Sequence, residues 1–113
     1  MNAKQFEKAV RARCIEVQKY GYKIVQHGFG VTYDYRVCKF MSYNKKVCPI
    51  GACLLNSSFN KDNYATPIRA AIFYLEITQA QLDEFTTVFD GEKSIYGGNF
   101  YEVGKRLRKE FIK

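Results

Sequence analysis

The sequence predicts an α+β fold, in which a small antiparallel sheet at about residues 22–48 packs against four or five helices, and three observations carry that expectation. Apolar residues recur at steps of three and four over residues 4–20, 66–91 and 100–111. Between residues 22 and 47 the period drops to two, the repeat of a half-buried strand. At 113 residues the chain can bury one real core and is too short for two, so a single domain over residues 1–113 is expected.

Taken in order, Phe6, Val10, Cys14, Val17 and Tyr20 form the apolar stripe of an amphipathic helix from Lys4 to Tyr20, which Gly21 should end. Its other side is basic, with Lys4, Lys8, Arg11 and Lys19, and Glu7 stands four residues before Arg11 for an intrahelical pair. Next, YKIVQ reads as a short strand, and Gly28 and Gly30 give turn or bulge freedom around Phe29. VTYDYRVCKF reads as one strand, with Val31, Tyr33, Tyr35 and Val37 on one side and Thr32, Asp34, Arg36 and Cys38 on the other. The polar SYNKK after it suggests a hairpin of Phe40–Met41 with Lys46–Cys48 around Asn44.

CPIGACLL, residues 48–55, is an apolar run in which Pro49 suits the first position of a buried helix. NSSFNKDNYA, residues 56–65, reads as a polar surface loop. Thr66-Pro67 is a helix start, and Ile68, Ala71, Ile72 and Leu75 fall on one core face of a helix closing near Glu76. Ile77 is the hinge, Thr78 and Gln81 have capping-box spacing, and Leu82, Phe85 and Phe89 continue the stripe to a stop at Asp90-Gly91. These two helices make a helical hairpin at 67–89. EKSIYGGN is a second loop, and Phe100, Val103, Leu107 and Phe111 mark a final helix.

Composition narrows the function classes. Hydrophobic content of 47% with 16% aromatics excludes bulk disorder. The apolar runs are too short for a membrane span, and MNAKQFEK is no secretory signal, so a cytoplasmic protein with no membrane partner is expected. Formal net charge is +7, distributed unevenly: residues 1–23 hold six Lys/Arg and two acids (+4), and residues 24–47 hold four and one (+3). Residues 61–97 hold three and six (−3), and residues 98–113 hold five and two (+3). An anionic partner is favoured by such a balance, although a solvated basic face explains it as well.

Catalysis is not expected. The chain has one histidine, no glycine-rich phosphate loop with a lysine and no paired-carboxylate motif. Cys14, Cys38, Cys48 and Cys53 have no CxxC spacing and read as reduced, mostly buried thiols. With His27, the spacings 27, 38, 48 and 53 match no zinc finger, and no metal or other cofactor is expected. The expected contact residues are therefore Lys8 and Arg11, then Tyr33, Tyr35, Arg36, Lys39, Lys45 and Lys46, then Lys105, Arg106, Arg108 and Lys109. Aromatics interleaved with cations can stack bases and neutralise phosphates. Tyrosine and arginine also anchor protein interfaces, so the partner is a protein or a nucleic acid.

Two resemblances bear on that choice. Residues 66–91, with Ala71 on the first helix, a β-branched residue and Thr78 at the turn, and Leu82 on the second helix, resemble the helix-turn-helix of DNA-binding proteins. Against a DNA-reading role, Glu76 stands where that motif usually has glycine, and Gln79–Phe89 carries Asp83 and Glu84 and no cation. If the chain touches nucleic acid, Asp83 and Glu84 should face away. CPIGACLL at 48–55, AAIFYLEI at 70–77, FDG at 89–91 and YEVGKRLR at 101–108 resemble a pattern of small uncharacterised phage and bacterial proteins. That resemblance carries no established activity; it implies a non-enzymatic accessory factor acting on a host or phage macromolecule, such as an anti-defence inhibitor.

Overall fold

Asn2 opens the first helix with a reciprocal cap: its side chain accepts from the Gln5 N–H at 2.8 Å while the Gln5 side chain accepts from the Asn2 N–H at 3.0 Å. The computed structural model describes residues 1–57, 66–93 and 97–113. Over these the order is α1 (Ala3–Lys19), β1 (Lys23–Ile24), β2 (Thr32–Asp34), β3 (Lys39–Met41), β4 (Lys46–Val47), α2 (Pro49–Leu54), α3 (Pro67–Leu75), α4 (Gln79–Phe89) and α5 (Asn99–Phe111). The fold is α+β, as its sequence predicts. α1 buries Phe6, Val10, Cys14 and Val17; Tyr20, expected on the same stripe, is 68% exposed because the helix has already ended at its C-cap position.

The strand region differs from its expectation in two ways. VTYDYRVCKF is a hairpin and not one strand: β2 and β3 pair antiparallel, with Tyr33 opposite Phe40 and Asp34 opposite Lys39. The cause is Asp34, whose carboxylate accepts the backbone N–H of Arg36 at 2.9 Å and so closes a turn inside the alternating pattern. Tyr35 and Val37 consequently face solvent. Phe40–Met41 and Lys46–Cys48 do not pair with each other either. β4 runs parallel to β1, with Lys23 beside Lys46 and Ile24 beside Val47, so the sheet region is two separate two-stranded ribbons.

Cys48 caps α2, its sulfur accepting from the Gly51 N–H at 3.4 Å with Pro49 at the first helical position. Every residue of α2 is buried. Gly51 makes this possible, because a Cβ there would come 1.8 Å from the Phe29 carbonyl oxygen. α3 and α4 start at Thr66 and Thr78 as predicted, each threonine hydroxyl accepting from the third residue of its helix. On α3 the buried residues are Ala70, Ala71 and Leu75; Ile68, expected in the core, is exposed. Glu76 ends α3 at φ +52, the left-handed position that glycine would occupy more easily. α4 ends with Gly91 at φ +87, its N–H on the Val88 carbonyl and the Glu92 N–H on the Thr87 carbonyl, a Schellman closure.

The two hairpin helices part company in their packing: α3 lies chiefly on α2, whereas α4 lies along α5. Gly104 on α5 permits that last approach, since a Cβ there would sit 2.1 Å from a Val88 methyl and 2.9 Å from the Phe85 carbonyl oxygen. Phe6 joins the first helix to both, edge-on to Phe85 at 5.0 Å and tilted against Phe100 at 5.1 Å. Buried side chains from all five helices thus share one core cluster. The expected loop at 56–65 lies mostly outside the described residues, as do residues 94–96 of the second loop.

Candidate interaction surface

The clearest built feature on the surface is the tip of the β2–β3 hairpin. Asp34 is one of the two buried polar side chains, with Ser42, among the described residues. Its carboxylate receives four hydrogen bonds: the Arg36 N–H at 2.9 Å, Arg36 Nε at 3.1 Å, Arg36 Nη2 at 3.1 Å and the Tyr43 hydroxyl. The Arg36 guanidinium, then the Tyr43 hydroxyl, hold the Asp34 carboxyl well below the usual carboxylate range. The charge raises Arg36 in turn. This clamp pins the backbone of a turn whose outer residues project: Tyr35 is 82% exposed, Val37 50% and Tyr43 64%. Tyr33 stands beneath, edge-on to Tyr35 at 4.7 Å and to Phe40 at 5.3 Å, so the projecting ring rests on the core.

The remaining sequence-predicted residues separate into distinct places. Lys45 leaves the hairpin: its ammonium lies 5.1 Å from the Tyr22 ring centroid and donates to the Tyr20 carbonyl at 3.1 Å. Lys46 sits beside Lys23 at the β1–β4 ribbon. Arg11 and Arg106 are tied into the seam between α1 and α5. Arg106 donates to Glu7 through Nε at 2.9 Å and Nη2 at 2.6 Å, while Arg11 bridges Glu7 at 3.0 Å and Glu110 at 2.8 Å. Arg106 foremost, with Arg11, lowers the Glu7 pKa. Two predicted contact cations therefore serve the fold, and Lys8 lies beside them on α1 in a shallow groove with Lys4 and Arg11.

Lys105, Arg108 and Lys109 take the opposite flank of α5. With Lys93 and Tyr101 they line a groove of about 480 Å³ beside the C-terminal turn of α4. Glu84 faces the other end of α5: its carboxylate accepts the Tyr101 N–H at 3.3 Å and lies over Gly98, replacing the side-chain cap that the helix lacks.

Three of the four cysteines are buried and offer little reactivity. Burial pushes the Cys48 and Cys53 thiols up to about 12 and raises Cys14 as well. Cys38 is exposed on the hairpin, unlike the three buried cysteines, and among the described residues no three His, Cys, Asp or Glu side chains converge as metal ligands. An apolar pocket of about 210 Å³ lies between α2 and α4, lined by Pro49, Ile50, Leu82 and Phe89. Among the described residues no helix is long and apolar enough to cross a membrane.

No family model matches the chain, and no curated protein or solved structure shows significant similarity to it.

Sequence reasoning missed Asp34 and Tyr43 as organisers of the hairpin, and Lys93 and Tyr101 as walls of the basic groove. The first was detectable: an aspartate two residues before another N–H is an Asx-turn signal, and it lies here inside an otherwise regular alternation. Lys93 and Tyr101 carry no local signal, because only the packing of α5 on α4 brings them together.

Proposed function

We propose that this chain is a non-enzymatic accessory module that binds a protein partner through the Tyr35–Cys38 tip of its hairpin. The observation that carries this reading is the Asp34 clamp, which holds an exposed tyrosine, arginine and valine in one conformation. Preorganised aromatic and arginine side chains lose little freedom on docking, and such residues dominate the energetics of protein interfaces. The tip is also apolar enough to gain from burial while Arg36 supplies directional donors. Burial holds the Cys48 and Cys53 thiols in their neutral form, which makes those two poor nucleophiles. The reading extends to an accessory role in the cytoplasm, acting on a host or phage protein.

The test compares immobilised wild-type chain with Tyr35→Ala and Val37→Ser in extracts of the cell that encodes it. A partner retained by wild type and lost from both variants is expected, with Tyr35→Ala weakening the purified complex by about 30-fold, the scale of an interface anchor. Identical sets of retained proteins for wild type and variants would refute the assignment to the tip.

A further inference from the structure

We infer that the groove between α5 and the end of α4 binds the phosphate backbone of a single-stranded nucleic acid. Lys105, Arg108 and Lys109 lie at i, i+3 and i+4, so they share one face of α5 over about 6 Å of helix axis. Lys93 faces them from the segment after α4, and all four are exposed. Among the described residues none of these four joins an ion pair, in contrast to Arg11, Arg13, Arg36 and Arg106, which all do. Glu92 is the one carboxylate lining the groove, so four cations are opposed by one.

The α5 cations have been divided by the fold. Arg106 neutralises Glu7 on the α1 side, leaving the other flank with an excess of positive charge. Gly91 contributes directly: with no side chain there, the Arg108 guanidinium lies 3.2 Å from where a Cβ would stand, against the C-terminal turn of α4. Cation and helix terminus suit each other electrostatically, and the contact orients Arg108 at the floor of the recess. Tyr101 supplies the aromatic wall, with the Lys105 ammonium 5.7 Å from its ring centroid. A recess combining cations with an aromatic ring matches the two requirements of single-strand recognition, neutralised phosphates and a surface on which a base can stack. This site is separate from the hairpin tip, and its test does not depend on it.

The experiment is fluorescence anisotropy of a labelled single-stranded DNA oligonucleotide of about 12 nucleotides, a length that spans a site of this class. Three or four phosphate contacts predict a loss of about 20- to 50-fold in affinity between about 50 and 200 mM salt. Lys105→Ala/Lys109→Ala should weaken binding at low salt by about tenfold or more and flatten the logarithmic salt slope by about 1.4. Lys4→Ala/Lys8→Ala on α1, which removes the same formal charge, should change affinity less than about threefold, and Tyr35→Ala should leave it unchanged. Lys93→Ala lies outside every helix and, if the double variant does not fold, should flatten the logarithmic salt slope by about 0.7. Absence of binding at low salt, or equal losses from the two lysine pairs, would overturn the site. Displacement of the oligonucleotide by charge-matched poly-glutamate as readily as by unlabelled oligonucleotide would also overturn it, in favour of an acidic protein partner.

Discussion

Replacing Gly104 by alanine is expected to destabilise the protein, against the usual direction of that change in a helix. In an exposed helix interior the substitution gains about 1 kcal/mol, since alanine loses less backbone freedom on folding. Here the new methyl would lie 2.1 Å from Val88 Cγ1 and 2.9 Å from the Phe85 carbonyl oxygen, where carbon atoms prefer about 3.5–4.0 Å. Val88 is β-branched and has essentially one rotamer on a helix, and the carbonyl belongs to the α4 backbone, so neither neighbour can step aside. α5 must move outward, loosening Phe100 from Phe6. Overpacking of this kind costs about 3 kcal/mol, leaving a net loss of about 2 kcal/mol after the propensity gain. Thermal unfolding followed by circular dichroism should show a midpoint about 8 °C lower. Gly97→Ala, before α5 where a Cβ meets nothing within 4 Å, should not lower the midpoint. Val88→Ala should recover part of the loss when combined with Gly104→Ala. A Gly104→Ala protein as stable as wild type would refute the close approach of α4 and α5.

The seam between α1 and α5 gives stability a pH dependence. Glu7 has a folded pKa below its ordinary 4.5 because Arg106 and Arg11 bond its ionised form, so its contribution is present above about pH 4.5 and lost as pH falls through the folded value. Glu7→Gln should cost about 1 kcal/mol at neutral pH and reduce the acid-side slope in denaturant titrations between pH 5 and pH 2. Thiol titration of the native protein at mildly alkaline pH should label Cys38 rapidly, with Cys14, Cys48 and Cys53 reacting only on unfolding; a second fast thiol would contradict the packing of α2. Asp34→Asn should accelerate amide hydrogen exchange at Arg36 and Val37 while leaving α1 and α5 protected, because the carboxylate organises the turn alone.

Helices were legible in this sequence to within a residue or two because their ends are encoded locally. Thr66 and Thr78 each satisfy an amide three residues on and were readable as caps, whereas Asn2, which caps α1 in the same way, was not read from the sequence. Strand pairing was not legible, since it depends on partners distant in the chain: β1 finds β4 across more than twenty residues, in parallel, and alternation alone cannot specify that. Ile68 fails for a related reason. Periodicity gives a face, but the face that packs on α2 is turned so that Ala70 is buried and Ile68 is exposed. Of the candidate contacts, Tyr35 and Arg36 are exposed at the hairpin tip; the Glu7–Arg11 pair was legible from its spacing, whereas the ties of Arg106 to Glu7 and of Arg11 to Glu110 follow only from the packing of α1 on α5.

That seam also governs when the protein can assemble. Glu7 and Arg106 are 99 positions apart, as are Arg11 and Glu110, and Phe6 needs Phe100 to complete its surroundings. During synthesis α1 is made before α5, which follows several seconds later at ordinary elongation rates. α2 can cover much of the apolar stripe in the meantime, but the Phe6 end stays incomplete until Phe100 arrives. Native contacts of such long sequence separation slow the search for the folded state, so expression temperature and chaperone supply should affect the yield of this small protein more than its size alone suggests.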